Sequence, residues 1–439
     1  MSDTSVAFND HVERHLGRRL PGALAERIDF ATLASDARRV ILRLLALMQR
    51  AGCRATDITE QMIWLLGSVT PAMLPSAWGG RIPPLTSPGR HRKLDAYVAG
   101  RLGPADVEQP VFIDLGCGFP PVTTVETAQA LPDWTVFGVD RAFSRYVLYD
   151  EEGRYACFDR HGVYQYYQSP AKPLSDDAEA LKARFTALFG ELRPLLRETL
   201  SGAAARVEKT GRRLIENHIR DFERRNLYFL EADIDAPALP PARLVRCMNV
   251  LLYFARDQRE RMLAAIRNQL AENGLLVTGF NHPFGIYARY AIYWKEGPNL
   301  RPCEFAFSLD NLGALEIGPW LTLADGDGEA ELLADLTAAI RRDHIFWADF
   351  YTRLDALRDL YGICRRDEDG FIQFTGETRS ASPLSLHKKT AALWTQLAAE
   401  GYTEGAVAAL TRAGYTAWRN AVGDVAVLPP VGALPAPGA

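Results

Sequence analysis

The sequence predicts an α/β protein: a doubly wound, mostly parallel sheet with helical N-terminal and C-terminal additions and a long insertion after the second strand. Three observations predict it. "VFIDLGCGFPP", Val111 to Pro121, runs an apolar strand into two glycines, the pattern of a strand ending in a ligand-facing turn. From about residue 108 to 285, apolar runs alternate with helical patterns, the signature of parallel strands joined by helices. Between the second and third of those runs lie residues 141–226, where a short helix would suffice.

The elements follow in order. Residues 1–105 read as a helical N-terminal region. Ser35-Asp36 opens a helix carrying Val40, Ile41, Leu44, Leu45, Leu47 and Met48 on one face. Asp57 and Glu60 have the spacing of a capping box for a helix through Met62, Ile63, Trp64 and Leu66. "PAMLPSAWGGRIPPLTSPG" is a breaker-rich loop. Residues 106–325 form the core. Its strands are "PVFIDLG", "WTVFGVD", "LYFLEAD", "ARLVRCMNV" and "LLVTGFN". Helices are "VTTVETAQAL" and "RDQRERMLAAIRNQLAENG", the latter stopped by Gly274. Right-handed crossovers place helices on both sheet faces. The insertion opens as a hairpin or meander with turns at Glu152-Gly153 and His161-Gly162, followed by helical stretches near 176–200 and 203–225. It reads as a lid or substrate-facing subdomain, or as a packing or dimerisation element. Beyond 286, "GIYARYAIYWKEG" reads as helix, "CEFAFSL" and "LEIGPWLTLA" as closing strands. Residues 326–439 are mainly helical, with a frayed tail.

Composition narrows the function. The 439 residues are 48% hydrophobic and 24% charged, with net charge −4, so nothing points to a nucleic acid or an anionic membrane as partner. No apolar run matches a membrane span, and the N-terminus lacks an apolar signal core. Six scattered cysteines without a C-x-x-C read as reduced thiols, and no metal set is evident. A cytoplasmic protein is expected; a homodimer is left open.

The turn narrows it further. Gly116 and Gly118 let a ligand approach the backbone closely. A dinucleotide site wants a third glycine, where this chain has Pro121. Asp140, 22 residues past Gly118, ends the second strand, where a carboxylate can accept both ribose hydroxyls. Asp114, two residues before Gly116, suits a cationic ligand and would repel a pyrophosphate.

"DLGCG", "VFGVD", "FLEAD" and a fourth strand ending in Asn together resemble the class I S-adenosyl-L-methionine (SAM)-dependent methyltransferases, whose core is a Rossmann-like sheet. "RCMNVLLYFARDQRERMLAAIRNQLAENGLLVTG" is similar to a stretch of the chemotaxis-receptor glutamate methyltransferases, although Arg246 and Asn249 are here separated by two residues. The resemblance implies S-adenosyl-L-methionine as cofactor. Gly116, Cys117 and Gly118 would lie under its methionine and ribose, and Asp114 would steer its amino group. Asp140, with Arg141 beside it, would hold the ribose; Asp233 and Ile234 would face adenine, and Asn249 the methionine part.

Methyl transfer needs alignment more than side-chain chemistry, and a base only where the acceptor must lose a proton. Acceptor-side residues belong beyond the carboxyl ends of the fourth and fifth strands. Tyr253, Asn281 and His282 lie there, and His282 is the candidate base, or an ordinary loop histidine. Tyr287, Tyr290, Tyr293 and Trp294 wall a site or pack on the core. "DGDGEAEL" reads as a turn before a helix. The expected function is methyl transfer to a small-molecule acceptor, amino-acid-like or a natural-product intermediate. The alternatives are another SAM-using reaction, or a SAM-binding regulator without catalysis.

Overall fold

The computed structural model describes residues 7–70, 86–102, 109–168, 178–196, 204–234, 239–282, 287–380 and 383–436. Most of the breaker-rich loop, residues 71–85, and the last three residues of the tail lie outside these. The chain divides into two compact units. One comprises Met1–Pro71, Cys247–Arg267 and Leu275–Ala439; the other comprises Ala72–Arg246 and Asn268–Gly274. These boundaries differ from the three regions read from the sequence.

The first unit opens with helices α1 (Phe8–Leu16), α2 (Gly22–Ala25), α3 (Ser35–Arg50) and α4 (Glu60–Trp64). Helix α3 buries the apolar face expected of it. Its N-cap is Ala34, without a side-chain cap. The expected capping box is divided: Thr59 caps α4 by accepting the Met62 N–H at 3.1 Å, while Asp57 pairs with Arg341 at 3.2 Å. A tertiary ion pair has taken the carboxylate that spacing assigned to the helix end.

The second unit begins with α5 (Arg92–Arg101), β1 (Val111–Leu115), α6 (Val122–Ala130) and β2 (Thr135–Asp140). The insertion follows as β3 (Tyr146–Tyr149), β4 (Tyr155–Phe158), β5 (Tyr164–Gln168), α7 (Ala178–Leu192), β6 (Ala205–Lys209) and β7 (Arg212–Glu216). Then come β8 (Leu227–Glu231) and β9 (Ala242–Met248). Strands β8, β2, β1 and β9 pair in parallel in that spatial order. Setting the insertion aside, the order is third, second, first, fourth, the order of a doubly wound fold with its switch point between β1 and β9.

The insertion is an antiparallel sheet in the order β5-β4-β3-β7-β6. Tyr146, Leu148, Phe158, Tyr167 and Leu214 pack there against Phe185 and Phe189 of α7 as a separate apolar core. The helix expected near 203–225 is instead the β6–β7 hairpin and a short 3₁₀ segment, His218–Phe222. Thr210 and Gly211 join the two strands with φ of 52° and 78°, the left-handed pair of a two-residue hairpin turn.

The first unit resumes after β9. Helix α8 (Arg256–Gln269) stops five residues before Gly274, because Leu270 already belongs to β10 (Leu270–Phe280). Strands β11 (Arg289–Glu296) and β12 (Asn299–Phe307) follow, then α9 (Gly328–Arg342), α10 (His344–Leu360), β13 (Cys364–Arg366), β14 (Ile372–Phe374), α11 (Gly376–Ser380), α12 (Pro383–Ala399), α13 (Tyr402–Arg412), β15 (Ala417–Arg419) and β16 (Val425–Val427). The expected helix at "GIYARYAIYWKEG" is strand β11. Tyr287, Tyr290 and Tyr293 are buried to 1% exposure on the strand or just before it. Only Gly297-Pro298 separates β11 from β12, and so short a loop forces an antiparallel pair. The pairs β10–β11, β11–β12, β12–β16 and β15–β16 are all antiparallel, so this part of the sheet departs from the mostly parallel expectation. "CEFAFSL" supplies β12, whereas "LEIGPWLTLA" forms a 3₁₀ turn at Gly318–Trp320. Among the described residues, no helix is long and apolar enough to cross a membrane.

Candidate functional site

The glycine turn joins β1 to α6. Gly116 and Gly118 have φ of 74° and 65°, which a side chain would strain. The Val139 carbonyl of β2 accepts two N–H groups, from Gly116 at 2.8 Å and from Cys117 at 3.1 Å. Asp140 accepts the Gly118 N–H on Oδ2 at 2.9 Å. The end of β2 thus holds the turn at three consecutive residues. Pro120 and Pro121 both precede α6, with Pro121 at the N-cap, rather than inside its first turn. Cys117 Sγ lies over Gly138, where an added Cβ would come 3.2 Å from it and 2.6 Å from the Phe229 ring. Burial pushes the Cys117 thiol well above its ordinary range.

Asp114 does not face open space. It is 4% exposed, and Arg246, its register partner on β9, grips it through Nε at 3.0 Å and Nη2 at 2.6 Å. Thr124 of α6 donates to the same carboxylate at 2.6 Å. Arg246 also bonds Asp95 on α5 and Thr127 on α6. One guanidinium therefore ties two strands and two helices together behind the turn. Burial raises the Asp95 carboxyl, with Arg246 opposing that rise. Burial and the Arg246 charge hold His91 well below its ordinary value.

Arg141 and Asp233 stand at the carboxyl ends of β2 and β8, 3.7 Å apart and exposed, with Ile234 half-buried beside them. The insertion reaches the turn through Phe119. That ring lies 5.3 Å from His218 and edge-on to Tyr155 and Phe222 at 6.2 and 6.0 Å. His218 in turn meets the Tyr149 hydroxyl at 3.2 Å and Asp221 at 3.0 Å. Burial holds His218 below its ordinary value, against the pull of Asp221.

The first unit carries the other expected residues. Asn249 adopts φ 62°, a left-handed conformation that asparagine tolerates. Its side-chain amide donates to the Asn281 carbonyl at 2.8 Å and accepts the Asn281 N–H at 3.1 Å, while its own N–H bonds Gly279 at 2.7 Å. Asn249 and Asn281 thus form a clasp that fixes the chain leaving β10. Tyr253 packs on a small apolar cluster of Leu252, Phe280 and Tyr287. His282 Nε2 lies 3.2 Å from Glu316 Oε1. Burial, reinforced by Asp310, pushes Glu316 up to about 7.

Sequence reading missed two parts of this arrangement. Arg246 was noticed only within a family pattern, yet it is the buried partner of Asp114. Glu316 lies 34 residues from His282 in an irregular segment, and no spacing rule connects them. "DGDGEAEL" is the helix-opening turn expected: Asp327 caps α9 by accepting the Ala330 N–H at 3.2 Å.

Neither a family model nor a curated protein matches the sequence. Solved structures do match. Coclaurine N-methyltransferase bound to N-methylheliamine and SAH is 12% identical, with TM-score 0.21, over 43% of this chain and 36% of that one. Magnesium protoporphyrin IX methyltransferase of Synechocystis with bound SAH is 13% identical, with TM-score 0.20, over 44% and 56%. The N-methyltransferase NodS of Bradyrhizobium japonicum with S-adenosyl-L-homocysteine is 12% identical, with TM-score 0.20, over 44% and 63%. The chain spans less than two thirds of each of these proteins. Likeness this slight decides nothing about activity, which rests on the residues above.

Proposed function

We propose that the chain is a class I SAM-dependent methyltransferase acting on a small-molecule acceptor. One observation carries this reading. The turn at the end of β1 has already used the donors that a phosphate would need. Gly116 and Cys117 donate to Val139, Gly118 donates to Asp140, and Pro120 and Pro121 have no N–H. A dinucleotide's pyrophosphate binds through such donors. A ligand with a sulfonium and an ammonium but no phosphate does not need them, and it still gains the close approach that the two glycines allow.

The residues fit such a cofactor. On this reading Asp140, the last residue of β2, takes the ribose hydroxyls, and Asp233 and Ile234, just past the end of β8, face adenine. Asp114 acts on the amino end through the fixed turn, not by direct contact. Asn249, which holds Asn281, is the residue proposed for the methionine part. When bound, S-adenosyl-L-methionine supplies a methyl group on a sulfur leaving group. The chain's task is then alignment, and removal of a proton where the acceptor is an amine or hydroxyl. His282 takes that proton, with Glu316 Oε1 3.2 Å from its Nε2. Tyr253 and Asn281 line the acceptor side. The insertion, packed on Phe119, closes the space around a small acceptor.

Calorimetry with S-adenosylhomocysteine and NAD tests the cofactor. The first should bind and the second should not; the reverse result overturns the reading. With an acceptor in hand, S-adenosylhomocysteine as product marks methyl transfer, and methylthioadenosine marks the other SAM chemistry. Binding without turnover across an amine and hydroxyl panel favours a regulator.

A further inference from the structure

At the opening of α9, a glycine-flanked turn meets three arginines. Gly326 has φ +69° and packs so closely on Arg256 that an added Cβ would come within 2.9 Å of that side chain. Asp327 caps the helix and Gly328 begins it. Arg256 and Arg259 come from α8 and Arg289 from β11. Together they line a small cavity, with about 30 Å³ open to the centres of water-sized molecules. All of these residues belong to the first unit.

The cavity has more donors than its own residues satisfy. Arg259 is 6% exposed and Arg289 is 1% exposed. Arg259 gives Nε to the Phe254 carbonyl at 2.6 Å and Nη1 to Asp327 at 3.0 Å. Arg289 gives Nη1 to Pro319 at 2.9 Å, and Nη2 to Leu321 at 2.8 Å and Asp327 at 3.4 Å. Arg259 Nη2 and Arg289 Nε are buried and meet no acceptor among the described residues. A guanidinium cannot shed its proton to escape that position. A buried donor without a partner is costly, and proteins rarely leave one so. Asp327 is the one carboxylate that bonds both arginines. Glu329, the other carboxyl lining the cavity, is raised by burial and by Asp327, which favours its uncharged form beside an anion. Helix α9 adds the positive end of its dipole across 15 residues.

We propose that this cavity binds a small oxyanion, the phosphate or carboxylate group of a small molecule, between Arg256, Arg259, Arg289 and the first turn of α9. Nothing in this site depends on the SAM reading. The buried guanidinium donors fix the anion, and Arg256 at the mouth, its side chain 71% exposed and paired through Nε with Glu260 at 3.1 Å, draws it in with its remaining donors.

The test is thermal melting of the full chain in rising sodium phosphate, sodium acetate or sodium chloride at matched ionic strength. A saturable rise in Tm with phosphate or with acetate, but not with chloride, is expected, and the better of the two names the ligand's head group. Arg259→Met should abolish the saturation. That variant loses a buried partner of Asp327, so Arg256→Gln, on the exposed mouth, serves as the second. It should fold normally and weaken the midpoint about tenfold. Equal melting in all three salts overturns the site, as does Arg256→Gln titrating like the parent. Calorimetry with S-adenosylhomocysteine on the same variants separates this result from the cofactor reading, since both variants should bind it unchanged.

Discussion

Asp114 and Arg246 face each other across neighbouring parallel strands, joined by two hydrogen bonds of 3.0 and 2.6 Å at a site where neither is more than 4% exposed. Removing one partner of a buried pair leaves the other charge uncompensated. Asp114→Asn should therefore cost about 3–5 kcal/mol of stability, read as a lower urea midpoint. In the fraction that remains folded, S-adenosylhomocysteine affinity should hardly change. A large loss of affinity with intact stability would instead assign Asp114 to the ligand's ammonium.

Asp140 should behave differently. It is half-buried at a strand end, and it accepts the Gly118 N–H of the turn. Asp140→Ala should weaken S-adenosylhomocysteine binding by roughly 1–3 kcal/mol in calorimetry. Unchanged affinity would remove it from the ribose.

Gly138 tests the floor of the turn. A methyl group there would sit 2.6 Å from Phe229 and 3.2 Å from Cys117 Sγ. Gly138→Ala should destabilise the protein by about 1–3 kcal/mol through overpacking. On the proposed role of Cys117 beneath the cofactor, it should also weaken S-adenosylhomocysteine binding. A melting curve and a calorimetric titration on the same sample separate the two effects.

Glu316 gives a pH signature. Burial raises it from the ordinary 4.5 to about 7, so the folded chain holds this proton more tightly than the unfolded chain. The resulting stability is fully present below pH 4.5 and is lost as pH rises through 7. At about 1.4 kcal/mol per pH unit over these roughly 2.5 units, the loss is at most about 3.5 kcal/mol. Asp310 and Glu329, raised to about 6 and about 7, act in the same direction. Glu316→Gln should flatten part of the slope and be relatively more stable at pH 8 than at pH 5, as chemical denaturation at the two values will show.

His282→Ala should lower turnover about 10²–10⁴-fold on an acceptor that must lose a proton, with S-adenosylhomocysteine affinity preserved. Turnover equal to the parent across the pH range would return His282 to an ordinary loop role.

What could be read in advance followed local physics. The strand-turn-helix at Val111–Pro121, the Asp140 strand end and the start of α8 each declare themselves within a dozen residues. What could not be read depended on partners distant in sequence. Asp57 was committed to Arg341, 284 residues away, and so could not cap α4. Asp114 is bonded to Arg246, 132 residues away, a buried partner that no local spacing announces. Both carboxylates sat in patterns that fitted a local role. The β6–β7 hairpin was a different kind of miss. "SGAAARVEKTGRRLIEN" is rich in helix formers, and that outweighed Thr210-Gly211, whose left-handed turn was the better signal. Tyr287, just before β11, and Tyr290 and Tyr293 within it fit a helical period, but cross-strand pairing with β10 and β12 decides the strand's conformation.

The insertion enters and leaves through a single doorway. Arg145 and Asn217 are bonded backbone to backbone at 2.8 Å, and the Arg145 side chain reaches Glu216 and Asn217 as well. On the far side of that doorway, β2 and β8 already lie side by side in register, Val139 opposite Leu230 and Asp140 opposite Glu231. A chain that departs and returns at one point can grow, shrink or exchange everything beyond it without moving the parental strands by a residue. The scaffold that holds Gly118 and the insertion that presses on Phe119 are therefore separable: one can change in length and shape while the other stands still.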